Sequence, residues 1–392
     1  MPSALDPARQ PAVAGLPEFH LLLVSRSPTW SSAVRCATAA LGGGDVLTCD
    51  ARGALALLAG TASHYSHLLV DRDDAEGLLD ELANLANEVG APDTDILVLG
   101  SADAARPHIR SVSTATSRSI AEALTTPAPR RHGPEMNLAE LRAALNGAMI
   151  EPRYQPIIRI TARRPVGLEA LARLNHPQRG PIPPDRFVPQ IEDAGLAAEL
   201  TALVSARALN DLAGPFLADR NLRMSVNFPL DVLLQPAALD RLEEHRIAAG
   251  VAADQIVIEL TESRPVDDIP MLRRSLERVR GRGYGAAIDD VGPAVPRLAP
   301  LLDLPFTSLK LDKELVQQVN NATDVRRFLA ETIKQAHARG LTVVAEGVES
   351  EVIWDQVREL GANEIQGFLA ARPLPVAAVP IWWESWSAAS RN

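Results

Sequence analysis

At 392 residues, 46% of them apolar, the chain is long enough to build two cores rather than one. A formal net charge of −10 excludes broad contact with a nucleic-acid backbone, so any nucleotide ligand should be small and locally recognised. Two cysteines, Cys36 and Cys49, are too few for a disulfide framework and read as buried thiols in a reducing cytoplasm.

The first twenty residues lack the basic start and apolar run of a signal peptide, and no later stretch reaches the length of a membrane span, so a soluble, cytoplasmic chain is expected. From His20 short apolar runs alternate with helical patterns: "HLLLVS", "SSAVRCATAALG", "DVLTC", "ARGALALLAG", "HLLVD", "DDAEGLLDELANLANEVG" and "DILVLG". Fully apolar strands separated by helices predict a parallel sheet covered on both faces, over residues 18–128. In its third helix Leu78, Leu79, Leu82, Leu85 and Val89 form one apolar stripe facing that sheet. "TTPAPRRHGPEMN" then breaks all periodicity, which predicts a linker over 129–136.

Over 137–392 seven apolar runs read as strands: "VGLEALARL", "RMSVNF", "QIVIEL", "GAAIDDV", "SLKLD", "TVVAEGV" and "EIQGFL". Helical patterns lie between most of them, such as "IPMLRRSLERVRGRG" with Ile269, Leu272, Leu276 and Val279 on one face. Strand and helix repeating over about 250 residues is the rhythm of a (β/α)8 TIM-like barrel, with an open doubly wound sheet as the structural alternative.

Each run bears a polar residue at or near its C-terminal end: Glu169, Asn227, Glu259, Asp289 with Asp290, Lys310, Glu346 and Gln366. In a barrel these ends converge on the face where active sites lie. Carboxylates meeting in one basin repel each other unless cations neutralise them. Carboxylates plus one carboxamide are hard ligands, suited to Mg²⁺ or Mn²⁺, with Asp289 placed to bridge two ions and Asp290 to complete the second. A two-metal site for phosphoryl chemistry follows, with Lys310 orienting a water or neutralising charge on phosphorus.

These residues sit in a longer pattern. "YQPIIRITARRPVGLEALARLNHP" resembles the opening of an EAL-type cyclic-di-GMP phosphodiesterase domain, with Glu169-Ala170-Leu171 as the naming triplet. The similarity continues in order through "PPDRFVPQIEDAGL", "SVNF", "IELTES", "AIDDVG", "LKLD", "VVAEGVE" and "IQGFLAARPLP". The resemblance implies metal-dependent opening of cyclic di-GMP to linear pGpG in a homodimer, with Glu169, Asn227, Glu259 and Asp289 on one cation and Asp289, Asp290 and Glu346 on the other. It further implies that Lys310 contacts the attacking water, that Glu346 can accept its proton, and that Gln155, Leu171 and Arg173 line the dinucleotide. By the same resemblance Glu349 reaches a guanine edge, Gln366 supports the water network, and Glu262 is tied to the loop after the acid pair.

That loop departs from the family. Its usual Phe-Gly-Thr-Gly-Tyr-Ser-Ser-Leu is here Val291-Gly292-Pro293-Ala294-Val295-Pro296-Arg297-Leu298, which removes the hydroxyl donors to Glu262. The alternative function is therefore a receptor that holds cyclic di-GMP with little turnover and acts through protein contacts. The N-terminal region resembles a flavodoxin-like response-regulator receiver in degenerate form, with Asp71 where the phosphoacceptor would stand. "VSRSP" replaces the acidic pair and "SVSTATS" lacks the lysine, so regulation through a protein partner is expected in place of phosphorylation. "ALGGGD" reads as a turn, His176 as structural, and Trp382, Trp383 and Trp386 as a core-packing cluster at helical spacing.

Overall fold

Leu21, Leu22, Leu23 and Val24 are all buried, as a strand covered on both faces requires. They belong to the first of two sheets in the computed structural model, which describes residues 19–41, 43–59, 65–75, 77–79, 82, 95–100, 110–126, 135–261, 268–292, 298–320 and 322–389. Leu85, Val89, Glu262, Pro293, Ala294, Val295, Pro296, Arg297 and most of the expected linker lie outside the described residues.

The N-terminal sheet comprises β1 (Phe19–Val24), β2 (Gly44–Cys49), β3 (His67–Asp71), β4 (Asp95–Leu99) and β5 (Arg110–Val112), parallel in the order 2-1-3-4-5. This is the doubly wound order of flavodoxin-like, receiver-type folds. Side-chain alternation along β1 divides the burial. Leu21 and Leu23 pack with Val34 and Ala37 of α1 (Pro28–Ala40) and Ile120 and Leu124 of α3 (Ser117–Thr125). Leu22 and Val24 pack toward Leu55 and Leu58 of α2 (Ala51–Ala59), in a buried cluster continuous with the barrel.

The thiols do not follow the expected burial. Cys36 is exposed, because the buried face of α1 carries Ala33, Val34, Ala37 and Thr38, and Cys49 ends the edge strand β2 half-buried.

The second sheet closes into an eight-stranded barrel formed by β6 (Ile150–Arg159), β7 (Arg164–His176), β9 (Arg223–Pro229), β10 (Ile256–Thr261), β11 (Gly285–Val291), β12 (Ser308–Leu311), β13 (Thr342–Ala345) and β14 (Glu364–Gln366), with β8 (Gly180–Ile182) beside β7. All seven expected strands are present. The eighth, β6, pairs antiparallel with both β7 and β14 and joins β7 in a hairpin, so strict strand–helix alternation fails at this point. Its "IEPRYQPIIR" carries Pro152 and Pro156, a composition that reads against a central strand. Burial by neighbouring layers, seen in Tyr154 and Ile158 at 0% exposure, overrides that preference.

At the N-terminal end of the strands Glu364 is buried and accepts both hydrogen bonds of the Arg223 guanidinium, at 2.6 and 2.7 Å, with Arg159 at 2.8 Å. This triad ties β14 to β6 and β9. The structural role read for His176 is seen directly, since its Nδ1 accepts from the backbone N–H of Gln178 and Arg179.

Candidate active site

Parallel registration brings the polar strand ends together. Asn227 pairs with Glu259, Glu169 with Ser225, and Lys310 lies level with Val344, two residues before Glu346. Residues two apart on a strand share a face, so Glu169, Leu171 and Arg173 all point the same way from β7.

Asp289 and Asp290 are neighbours and would ordinarily face opposite sides of β11. Between Ile288 and Val291 the strand holds one more residue than its partner β12, and Asp290 has φ of +51°, in the left-handed region. A bulge with a left-handed residue re-aims the chain, and carboxylate oxygens of Asp289, Asp290 and Glu346 come within 4.8 Å of one another. Beyond β13, Gly347 turns at φ of +64° with its Cα packed against Lys313, where a Cβ would lie 2.7 Å from the Lys313 Cβ. The turn that presents Glu346 therefore needs glycine.

Lys310 occupies the centre. Its Nζ lies 2.8 Å from Glu259, 3.1 Å from Glu169, 3.0 Å from Asp289 and 2.7 Å from Glu346. Asn227 donates to Glu169 Oε1 at 2.9 Å, and Gln366 donates to Glu169 Oε2 at 2.6 Å and to Gln155 Oε1 at 3.0 Å. Lys310 is 2% exposed and Glu259 1%, so one ammonium faces four carboxylates away from water.

The basin responds by holding protons. Burial, only partly offset by Lys310, pushes Glu259 up to about 8 and raises Asp289 and Glu346. Burial and the neighbouring Asp289 carry Asp290 up to about 6. Burial pushes Glu169 the same way, yet the Lys310 charge and the hydrogen bonds from Asn227 and Gln366 win and leave it lowered. Burial opposes the charge on Lys310, but the four carboxylates outweigh it and raise its pKa.

A basin with more acid than one lysine can neutralise fits divalent cations. Two further features agree: Asn227 Oδ1 is buried with no hydrogen-bond partner, as an oxygen awaiting a cation would be, and the donors are all hard oxygens.

A cavity of about 350 Å³ opens beside this basin, lined by Glu169, Leu171, Arg173, Asn227 and Asp289 and walled by apolar side chains including Val188 and Leu200. Lys310, Gln155 and Gln366 are buried and outside its lining, and all three reach Glu169, which lines it, directly or through one another. Glu349 is exposed and accepts a hydrogen bond from Gln317 at 3.0 Å, away from the cavity wall. Glu262 lies outside the described residues. In the N-terminal unit Asp71 is buried, accepts from Ser25 Oγ at 2.9 Å and caps the turn 72–74.

Residues 138–373, more than half of the chain, match the family model described as EAL domain. The chain is 35% identical over 241 residues to the cyclic di-GMP phosphodiesterase NbdA of Pseudomonas aeruginosa, covering 61% of this chain and 31% of that protein. It is 30% identical over 250 residues to the oxygen sensor protein DosP of Escherichia coli, covering 63% and 31%. The chain thus spans about a third of the length of the curated relatives it matches. Among solved structures, the PaMucR phosphodiesterase in its c-di-GMP complex aligns with a TM-score of 0.57 and 28% identity, over 61% of this chain and 97% of that one. No helix among the described residues is long and apolar enough to cross a membrane. With its motifs in order along a closed barrel and its strand ends gathered on Lys310, the chain belongs to the EAL domain family.

Proposed function

We propose that this chain hydrolyses cyclic di-GMP to linear pGpG with Mg²⁺ or Mn²⁺, and that a receiver-like unit over 18–128, joined by a linker at 129–136 to the barrel at 137–392, regulates it. The observation that carries this reading is the Lys310 basin, four carboxylates within 3.1 Å of one ammonium beside a cavity lined by Arg173.

Two cations, held by Glu169, Asn227, Glu259 and Asp289 and by Asp289, Asp290 and Glu346, would lower the pKa of the attacking water and offset charge on phosphorus. The chain's own residues do the rest. Arg173 grips a phosphate, and Leu171 lines the dinucleotide pocket with it. Lys310 supports the attacking oxygen with a compact positive charge. Glu346, ionised once the cations are bound, accepts the proton of the attacking water as the new O–P bond forms and the P–O3′ bond breaks, and the leaving O3′ takes its proton from solvent. Gln155 and Gln366 fix Glu169, while Glu349 and Glu262 serve the guanine and the loop after Asp290. A homodimer and a regulatory protein at the receiver-like unit complete the proposal, with the cytoplasm as its compartment.

The test is incubation of the purified chain with cyclic di-GMP and Mg²⁺ or Mn²⁺, with nucleotides separated by chromatography; pGpG is expected, and its absence refutes the reaction. One observation favours a second reading, a receptor with little turnover: of the family's loop after Asp290 only Gly292 and Leu298 remain. Tight binding without pGpG, unaffected by Glu169→Ala, would support it.

A further inference from the structure

The C-terminal helix Val379–Ala389 carries three tryptophans, and they are not equivalent. Trp382 is 5% exposed and its indole N–H donates to the Ala370 carbonyl at 2.8 Å, a buried bond. Trp383 is half-buried, stands edge-on to Phe216 and lies under Arg220. Trp386 donates to the Arg163 carbonyl.

Ala370 belongs to the segment that leaves the catalytic end of the barrel. The neighbouring Ala371 carbonyl accepts from Gln155 Nε2 at 3.1 Å, and Gln155 Oε1 accepts from Gln366 Nε2 at 3.0 Å. The same Gln366 Nε2 donates to Glu169 Oε2 at 2.6 Å. Every side chain in this series is buried, so none of its groups has water as an alternative partner. The backbone beside it is pinned as well: Tyr154 and Leu374 exchange both hydrogen bonds, and Ala370 and Ala371 both donate to the Gly367 carbonyl. The bonds from Trp382 and Gln155 therefore end on adjacent carbonyls of one pinned segment.

The tryptophan helix also packs against α2 of the N-terminal unit, and Leu55, Leu58 and Trp382 belong to one continuous buried cluster. We propose that Trp382 is a positioning residue for the metal-binding carboxylate Glu169, acting through Ala370–Ala371, Gln155 and Gln366, and that the N-terminal unit acts on the barrel by bearing on this helix. The proposal deepens the reading of the barrel as a metal-dependent phosphodiesterase and rests on it only for its effect on rate; the hydrogen bonds act on cation affinity whether or not hydrolysis follows.

Full-length Trp382→Phe removes the indole N–H and keeps an aromatic ring. Trp383→Phe, one residue along the same helix, removes similar volume and alters the edge-on contact with the Trp382 ring, yet it leaves the Trp382 N–H bond to Ala370 in place and so separates that bond from general loosening. Mn²⁺ affinity is measured by calorimetry and pGpG formation in parallel. Outer-shell partners of metal ligands are worth about 10- to 100-fold in affinity, so Trp382, which lies beyond Gln366, Gln155 and the Ala370–Ala371 segment, should fall below that range and weaken Mn²⁺ binding about 3- to 10-fold. Trp383→Phe should leave it unchanged. Leu58→Ala, on α2, should also weaken Mn²⁺, and its loss should not add to that of Trp382→Phe, since both act on one path. Unchanged affinity in Trp382→Phe, an equal loss in Trp383→Phe, or no Mn²⁺ binding by the parent chain overturns the assignment of Trp382. Additive losses, or no effect of Leu58→Ala, overturn the route from the N-terminal unit. A shift in Mn²⁺ affinity without any pGpG in the parent chain upholds the positioning role and refutes hydrolysis.

Discussion

Replacing Lys310 by methionine removes the ammonium at the centre of the basin and nearly preserves side-chain volume. In the parent chain its ammonium lies 2.7 to 3.1 Å from four carboxylates, and those of Glu169 and Glu259 are at most 6% exposed. Breaking a buried ion pair by removing one partner costs about 3–5 kcal/mol, because the survivors keep their desolvation without the attraction. Protonation limits the loss, since Glu259, already pushed up to about 8, and Glu346, also raised, take up protons before repulsion grows further. For a domain of about 250 residues that loss corresponds to a fall in melting temperature on the order of 10 °C. The assay is thermal unfolding by circular dichroism in chelator, at about pH 8 and again at about pH 5, where Glu259 is protonated and the penalty shrinks. Mn²⁺ should restore more stability to Lys310→Met than to the parent, because the cation then replaces the missing charge. A variant that melts within about 2 °C of the parent in chelator at about pH 8 would show that the carboxylates are not strained by their proximity, and the argument for a cation-demanding basin would fail.

The same charges give the parent chain a pH dependence. Glu259 goes from 4.5 to about 8 on folding, so the folded state binds more protons within that window. Stability is then fully present below the unfolded pKa and lost as pH rises toward the folded one; denaturant titration in chelator should show that fall, and a rise would contradict it. Gly367→Ala would place a Cβ 2.3 Å from the Val348 backbone, forcing the segment after Glu346 to move. Its pGpG formation should drop roughly 10- to 100-fold, as expected for a misplacement of about an ångström. Arg223→Met leaves Glu364, 1% exposed, with Arg159 alone. Denaturant unfolding should report a loss of about 3 kcal/mol with turnover little changed at low temperature, since the triad sits at the non-catalytic end of the strands.

Much of this site was legible in the sequence because a parallel barrel gathers strand ends, and each apolar run carried its polar residue there. Glu169, Asn227, Glu259, Asp289 and Glu346 need only that rule to meet. The hairpin of β6 and β7 was not legible: Pro152 and Pro156 argue against a strand locally, and only barrel closure with β14 makes one there. Nor does periodicity show how Asp289 and Asp290 reach one basin, since that depends on a bulge and one left-handed residue. Lys310 reads in sequence as a water-orienting group; that it faces four carboxylates at once is a property of register across strands far apart in the chain. Cys36 was misplaced because apolar composition does not say which face of α1 turns inward.

These features bear on one another. A basin that raises Glu259, Asp289, Asp290 and Glu346 together stores affinity for positive charge, and protons and divalent cations compete for it. Cation binding must therefore release protons and tighten as pH rises, while the cation-free fold weakens over the same range. Glu169 is the exception, held ionised by Lys310, Asn227 and Gln366 even without a cation. Besides Lys310 it accepts hydrogen bonds from two side-chain amides, and those bonds lead through Gln366 and Gln155 to the segment that accepts from Trp382. A fold that presets one ligand and leaves the others to a contest between protons and metal can be adjusted at that ligand without rebuilding the basin.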